Sequence, residues 1–169
     1  MIIHFTPAEV KSLELLAQGR HFLKDIVIPD RDLQRWNNSQ HEADVLGVKG
    51  EYAVSKALKI PFDMSIGLEG DGGTTDMYLG EWRIQVKSTK YKNGRLVFNS
   101  LEEVDALIFV FVVIESKCAT ISGYIARNKA LKKIYKKDLG HGIRFCIDQK
   151  ELKPISDLLF YHLEHTLKK

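Results

Sequence analysis

The apolar positions of the chain follow a helical period first and a strand period later. Within residues 7–24, Val10, Leu13, Leu16, Ala17 and Phe22 recur at helical spacing, which predicts an amphipathic helix. Thr6, Pro7 and Glu9 mark its start as N-cap, first-turn proline and the acid of a capping box. Ile28-Pro29-Asp30 breaks this helix, and Asn37-Asn38-Ser39 reads as loop. A second helix is expected over residues 42–58, stopping before Pro61. Residues 60–66 are compatible with a short strand, and residues 67–74 form a glycine-rich loop.

After that loop the period changes to two. Residues 75–79 and 82–89 flank Gly80-Glu81, a two-residue link with glycine first that suits a type II′ hairpin. Asn93-Gly94 is a second tight link, leading to Leu96-Val97-Phe98. Residues 106–114 are apolar throughout and rich in β-branched types, the pattern of a central strand buried on both faces. The segment 100–105 is thin for a parallel crossover, so either that link is unusual or Leu96-Val97-Phe98 is a peripheral ribbon. Residues 119–126 read as a strand, 127–137 as a helix and 143–147 as a short strand. Pro154 opens a terminal helix with Ile155, Leu158, Leu159 and Leu163. The expected fold class is α/β, a mixed β-sheet flanked by helices. The expected organisation is one domain over 1–169, with an N-terminal helical extension (1–38), a core (41–150) and a C-terminal helix (151–169).

Composition narrows the class. At 169 residues, 44% apolar and 28% charged, wholesale disorder is excluded. Cys118 and Cys146 supply neither a disulfide framework nor a spaced metal quartet and read as reduced core thiols, which implies an intracellular, cytoplasmic setting. The start lacks the basic and long apolar regions of a signal peptide, so none is expected. No apolar run approaches the roughly 18 residues of a membrane helix, and no membrane partner is expected.

The net charge of +3 says little, but its distribution says more. Arg83, Lys87, Lys90, Lys92 and Arg95 lie in one stretch without acids, and Arg127, Lys129, Lys132, Lys133, Lys136 and Lys137 in another. Acids gather at 25–32, 42–44, 68–76 and 102–105. Such segregation suits a polyanionic partner, although a charge run also reads as a solvated face.

The hairpin register concentrates the chemistry. With Gly80-Glu81 as the turn, Asp76 opposes Gln85 at a Cβ separation of about 5 Å, and Lys87 lies on the diagonal. Arg83, Gln85 and Lys87 share one face of their strand, and Trp82, Ile84 and Val86 the other. On the second helix Glu51 shares a row with Val48, Val54 and Leu58, beside Leu46, Gly50, Ala53 and Ala57, so it turns toward the interior. Carboxylates near a lysine suit a hard divalent cation with oxygen ligands, Mg²⁺ above all. Such an ion could activate water and neutralise phosphodiester charge while the lysine stabilises the developing anion. Each residue has a plainer reading too: Asp76 as a turn residue, Gln85 and Lys87 as a solvent face, Glu51 as the partner of a structural ion pair. Glu69, Asp71, His41, Tyr52, Ser88 and Thr89 are weaker candidates, read chiefly as loop, surface or packing positions.

Gly50-Glu51 on a helix, Asp76 opening a strand and Gln85-Val86-Lys87 on the next resemble the PD-(D/E)xK nuclease superfamily in its Q-x-K variant. Mrr-type restriction endonucleases and Holliday-junction resolvase-like nucleases are the subsets most resembled, over residues 48–125. The resemblance implies a restriction-endonuclease-like core and a Mg²⁺-dependent endonuclease acting on DNA, with Mn²⁺ able to substitute. Carried over by position, Glu51, Asp76, Gln85 and Lys87 are the catalytic residues. Glu51, Asp76, Gln85 and the Val86 carbonyl are the metal ligands. Thr75 stands where the family name has proline, and Gln85 removes one negative charge. Lys90, Lys92, Arg95, Lys129, Lys132, Lys133 and Lys136 are the nucleic-acid-binding candidates, and a homodimer would suit two-strand cleavage. The rival readings are a nuclease-like module that binds DNA without turnover and a protein-interaction domain.

Overall fold

The computed structural model describes residues 1–27, 38–66, 75–98, 106–140 and 142–166, with side chains except those of 24–27, 38–40 and 161–166. In chain order the elements are β1 (Ile2–His4), α1 (Pro7–Val27), α2 (Asn38–Leu58), β2 (Met77–Leu79), β3 (Trp82–Thr89), β4 (Leu96–Phe98), β5 (Ile108–Ile114) and β6 (Cys118–Ala126). Then follow α3 (Arg127–Ala130), a 3₁₀ turn (Lys133–Tyr135), β7 (Lys136–Asp138), β8 (Ile143–Ile147), a second 3₁₀ turn (Gln149–Glu151) and α4 (Ile155–Thr166).

The protein is mixed α/β. A five-stranded sheet has the order β1-β6-β5-β3-β2, and a three-stranded sheet the order β4-β8-β7. β3 and β5 run parallel, whereas β1–β6, β2–β3 and β5–β6 are antiparallel. Every residue of β5 is buried, as its unbroken apolar run requires. Alternate side chains of β5 enter two cores. Ile108, Val110, Val112 and Ile114 meet Ala53, Val54, Ala57 and Leu58 of α2 and Ile155 and Leu158 of α4. Phe109, Phe111 and Val113 meet Leu96, Phe98, Phe145 and Ile147 of the smaller sheet and Ala130 of α3. Phe98 stacks on Phe109 at 4.5 Å and on Phe145 at 5.2 Å, joining the two sheets through flat ring faces.

Several expectations give way here. Asn38 and Ser39 belong to α2 instead of a loop, while Asn37, Ile28-Pro29-Asp30 and residues 67–74 lie outside the described residues. Residues 60–66 form no strand. Lys59 ends α2 in the left-handed region at φ 55°, and the Asp63 and Ser65 carbonyls accept from the Arg20 guanidinium at 2.7 and 3.2 Å instead of from a ladder. The expected helix over 127–137 exists only as α3. Lys132 is already extended at ψ 138°, and pairing of β7 with β8 (Lys136↔Phe145, Asp138↔Ile143) overrides local helix preference. Ile134, the apolar residue midway through this segment, is 77% exposed instead of packing on the sheet. Leu96-Val97-Phe98 lies outside the larger sheet, as the second reading has it, but is no surface ribbon: β4 pairs with β8 in the smaller sheet, and Leu96 and Phe98 are buried. β1 and β7 were not anticipated. Cys146 is buried and Cys118 half-buried, both as free thiols.

α1 docks on α2 through apolar contacts of Leu13, Leu16 and Ala17 with Val48, and through a seam of polar pairs. Lys49, itself buried, meets Glu14 at 2.8 Å, and His21 meets Asp44 at 2.6 Å. Glu9 accepts from Lys56 at 2.8 Å and from the Tyr52 hydroxyl. The Lys56 ammonium, then the Tyr52 hydroxyl, hold the Glu9 carboxyl down to about 2. Burial, then the Glu9 hydrogen bond and charge, push the Tyr52 phenol up to about 12. The Glu9 contribution to stability is therefore present above its ordinary value of 4.5 and lost as pH falls toward 2. The Tyr52 contribution is present below pH 10 and lost as pH rises through 12. Tyr52→Phe should cost about 1.5–3 kcal/mol at neutral pH, the range for a hydrogen bond to a charged group. Urea unfolding across pH should show that gap shrinking at both extremes; a gap constant with pH would refute the coupling.

Candidate metal and nucleic-acid site

The register of the hairpin is the one its two-residue turn imposes: Leu79↔Trp82, Tyr78↔Arg83, Met77↔Ile84. Gly80 takes φ 60°, the sign a type II′ turn needs at its first central position. β2 is three residues long against eight for β3, so among the described residues the strand has no partner on that side beyond Gln85. The last backbone bond is Asp76 N–H to the Ile84 carbonyl at 2.9 Å.

From there a side chain replaces the strand. The Asp76 carboxylate accepts from the Val86 N–H at 2.5 Å and from Gln85 Nε2 at 2.9 and 3.0 Å. Donation through Nε2 leaves Gln85 Oε1 available as an oxygen ligand. In an extended strand a residue's N–H and C=O project to the same side, so the Val86 carbonyl also points off the free edge beside Asp76. Asp76, Gln85 and Val86 are thus brought together as the hairpin register requires.

Lys87 lies two residues on from Gln85 and on the same face. It is half-buried, and among the described residues it has no hydrogen-bond or ion-pair partner. A half-buried ammonium without a carboxylate is a poor choice for stability and leaves a donor available to an anionic ligand.

Glu51 comes from the other side of the sheet. Val48, Ala53, Val54, Ala57 and Leu58 around it are buried, and Glu51 is half-buried, so the inward-facing row holds. Gly50 lets α2 lie against β3 here: a Cβ on Gly50 would stand 1.8 Å from Ser88 Oγ and 3.4 Å from Val86 Cγ1. Glu51 Oε2 pairs with Arg20 Nη1 at 3.3 Å, both side chains 21% exposed. The same guanidinium holds residues 63–65, the approach to the glycine-rich segment that leads to Asp76. Arg20 was missed from the sequence, although it continues the row of Leu13, Leu16 and Ala17 by three- and four-residue steps. Ser88 Oγ and Thr75 Oγ1, flanking this edge in sequence, are buried without hydrogen-bond partners among the described residues.

The basic candidates divide into two groups. Lys90 pairs with Glu42 at 2.8 Å, Lys92 with Glu115 at 3.2 Å and Arg95 with Asp148 at 2.5 Å. Glu42 holds the Lys90 ammonium above its ordinary value. Lys129, Lys132, Lys133 and Lys136 are exposed and have no carboxylate partner among the described residues. They do not share one helix face, being spread from α3 through the 3₁₀ turn to β7, with Lys136 Nζ 5.6 Å from the Phe145 ring centre. His41 is exposed, edge-on to His21, on a cavity of about 450 Å³ that Lys11, Glu14, Gln18 and Glu42 also line. Tyr52 packs against Phe5 and Phe62. Glu69 and Asp71 lie outside the described residues.

Among the described residues no group of three His, Cys, Asp or Glu side chains is placed to hold a metal ion. Among them, too, no helix is long and apolar enough to cross a membrane. Comparison with protein-family models, curated proteins and solved structures finds no match.

Proposed function

We propose that this chain is a divalent-metal-dependent nuclease hydrolysing DNA phosphodiesters, built on a restriction-endonuclease-like core. One observation carries the reading: at the edge of β3 the Asp76 carboxylate, the Gln85 amide and the Val86 main chain converge, with Lys87, which has no partner among the described residues, on the same face as Gln85. The donor set is all oxygen, which fits Mg²⁺ or Mn²⁺ better than a softer ion. Asp76, Gln85 Oε1 and the Val86 carbonyl would hold the ion, with Glu51 contributing from α2. When bound, it would supply charge neutralisation and water activation at the phosphodiester. Gln85 holds the Asp76 carboxylate in one orientation through Nε2, Lys87 offers its ammonium to the charge developing on the phosphoryl oxygens, and Arg20 fixes Glu51.

Metal-titrated cleavage of plasmid, linear and branched DNA tests the reading, and calorimetry tests the cage. Asp76→Asn should weaken Mn²⁺ binding by at least about tenfold, whereas Gln85→Glu should keep or tighten it by restoring a charge. Equal Mn²⁺ affinity in Asp76→Asn and parent would remove the proposed ligand set.

A second reading, a nuclease-like fold that binds DNA without turnover, is favoured by one feature. Asp76 already accepts from two donors and Glu51 is neutralised by Arg20. Salt-dependent DNA binding with no cleavage at any Mg²⁺ or Mn²⁺ concentration would select it.

A further inference from the structure

We infer that Tyr91 is a stacking platform for an unpaired base of a nucleic-acid strand lying along the free edge of β3. The inference rests on the proposed nucleic-acid reading and names the strand form that reading leaves open. Tyr91 is 67% exposed and stands four residues beyond Lys87, in the turn that follows β3, no more than about 13 Å away along the chain. A ring so placed lies within a few nucleotide steps of the proposed chemistry, at about 3.4 Å of rise per step.

The turn that carries it is unusually well held. Gly94 N–H donates to the Tyr91 carbonyl at 2.9 Å, and Tyr91 N–H donates to Thr89 Oγ1 at 3.2 Å. Gln149, from the second 3₁₀ turn, donates Nε2 to the Lys92 carbonyl at 2.7 Å and to the Gly94 carbonyl at 2.9 Å. Its Oε1 accepts from Ser122 Oγ at 2.8 Å, so the clamp is itself anchored to β6. Gly94 is boxed in beneath: a Cβ there would stand 2.9 Å from Thr89 Cγ2 and 3.5 Å from Phe111 of the core. A long-range amide that fixes two main-chain carbonyls of a surface turn makes the tyrosine a pre-organised group, which loses little entropy on binding.

The surroundings specify the ligand. Lys90 Nζ lies 5.8 Å from the ring centre, and Lys92 and Arg95 continue the same turn. Their partners Glu42, Glu115 and Asp148 form solvent-screened surface pairs, which a phosphate can displace. A flat π-face flanked by cations matches an unpaired base with a phosphate on either side. Stacked pairs within a duplex do not offer that face. The favoured substrates are therefore strands with unpaired nucleotides.

Fluorescence anisotropy of the full chain in EDTA, on a labelled oligothymidylate and on a blunt duplex, tests this. Tyr91→Ala should weaken oligothymidylate binding by about 5- to 150-fold, while Tyr91→Phe, which keeps the ring, stays within about twofold of the parent. Duplex binding should change by less than about twofold in both variants. Unaltered oligothymidylate affinity in Tyr91→Ala, or equal losses on both probes, overturns the platform. A parent that binds neither probe overturns it together with the nucleic-acid reading. Tyr91-dependent binding in a chain that cleaves nothing supports the platform and overturns only the nuclease.

Discussion

A purified Lys87→Ala protein is expected to lose DNA cleavage by about 10²–10³-fold or more, the usual loss when a group aimed at transition-state charge is removed. It should unfold at nearly the same denaturant concentration as the parent. Lys87 is on the polar face of β3 and has no partner among the described residues, so its removal orphans no charge and opens no cavity. A change of that kind alters stability by about 0.5 kcal/mol at most. Lys87→Arg keeps the charge but not the compact ammonium, and should recover binding more than turnover. Undiminished cleavage by Lys87→Ala would sink the assignment. Lost cleavage together with a large fall in stability would return Lys87 to the role of a structural residue.

Gly123→Ala should cost about 2–4 kcal/mol from strain and overpacking together. Gly123 follows a β-bulge, where the register of β5 and β6 shifts between Phe111 and Val112, and takes φ 147°. An added Cβ would stand 2.4 Å from the Lys153 carbonyl oxygen and 2.9 Å from Leu152 Cβ. Neither can withdraw cheaply, because Tyr124 and Lys153 exchange backbone hydrogen bonds at 2.8 Å in both directions. That bridge leads the chain into α4, whose Ile155 and Leu158 close the core over the larger sheet. Gly140→Ala is the matched control: its φ is 81°, but nothing lies within 4 Å of the added carbon. It should cost only the backbone strain, about 1 kcal/mol. Equal urea midpoints for the two variants would contradict the packing account.

What could be read from the sequence was what local chemistry decides. Thr6 and Glu9 form the reciprocal capping box, with Thr6 N–H donating to Glu9 Oε2 at 2.7 Å and Glu9 N–H to Thr6 Oγ1 at 3.2 Å. The turn at Gly80-Glu81 set the register of β2 and β3, and with it the contact of Asp76 and Gln85. What escaped was decided elsewhere in the chain. β1 is a short edge strand anchored by Ile2↔Thr120 and His4↔Cys118, so nothing within its own three residues announces it. β7 hides in a lysine-rich run because its partner β8 lies beyond the next turn. Arg20 reaches Glu51 across the helix pair, and a stripe of apolar residues does not announce the cation that continues it.

The shortness of β2 has a consequence for how molecules of this protein meet one another. A strand that outlasts its neighbour exposes main-chain groups on which a second copy could add a strand. On β3 the first such donor, Val86 N–H, is already taken by Asp76, and the carboxylate's charge confronts any carbonyl that approaches. The residue proposed as a metal ligand thus also guards the sheet against edge-to-edge assembly. Asp76→Ala should accordingly reveal itself first by concentration-dependent association in light scattering.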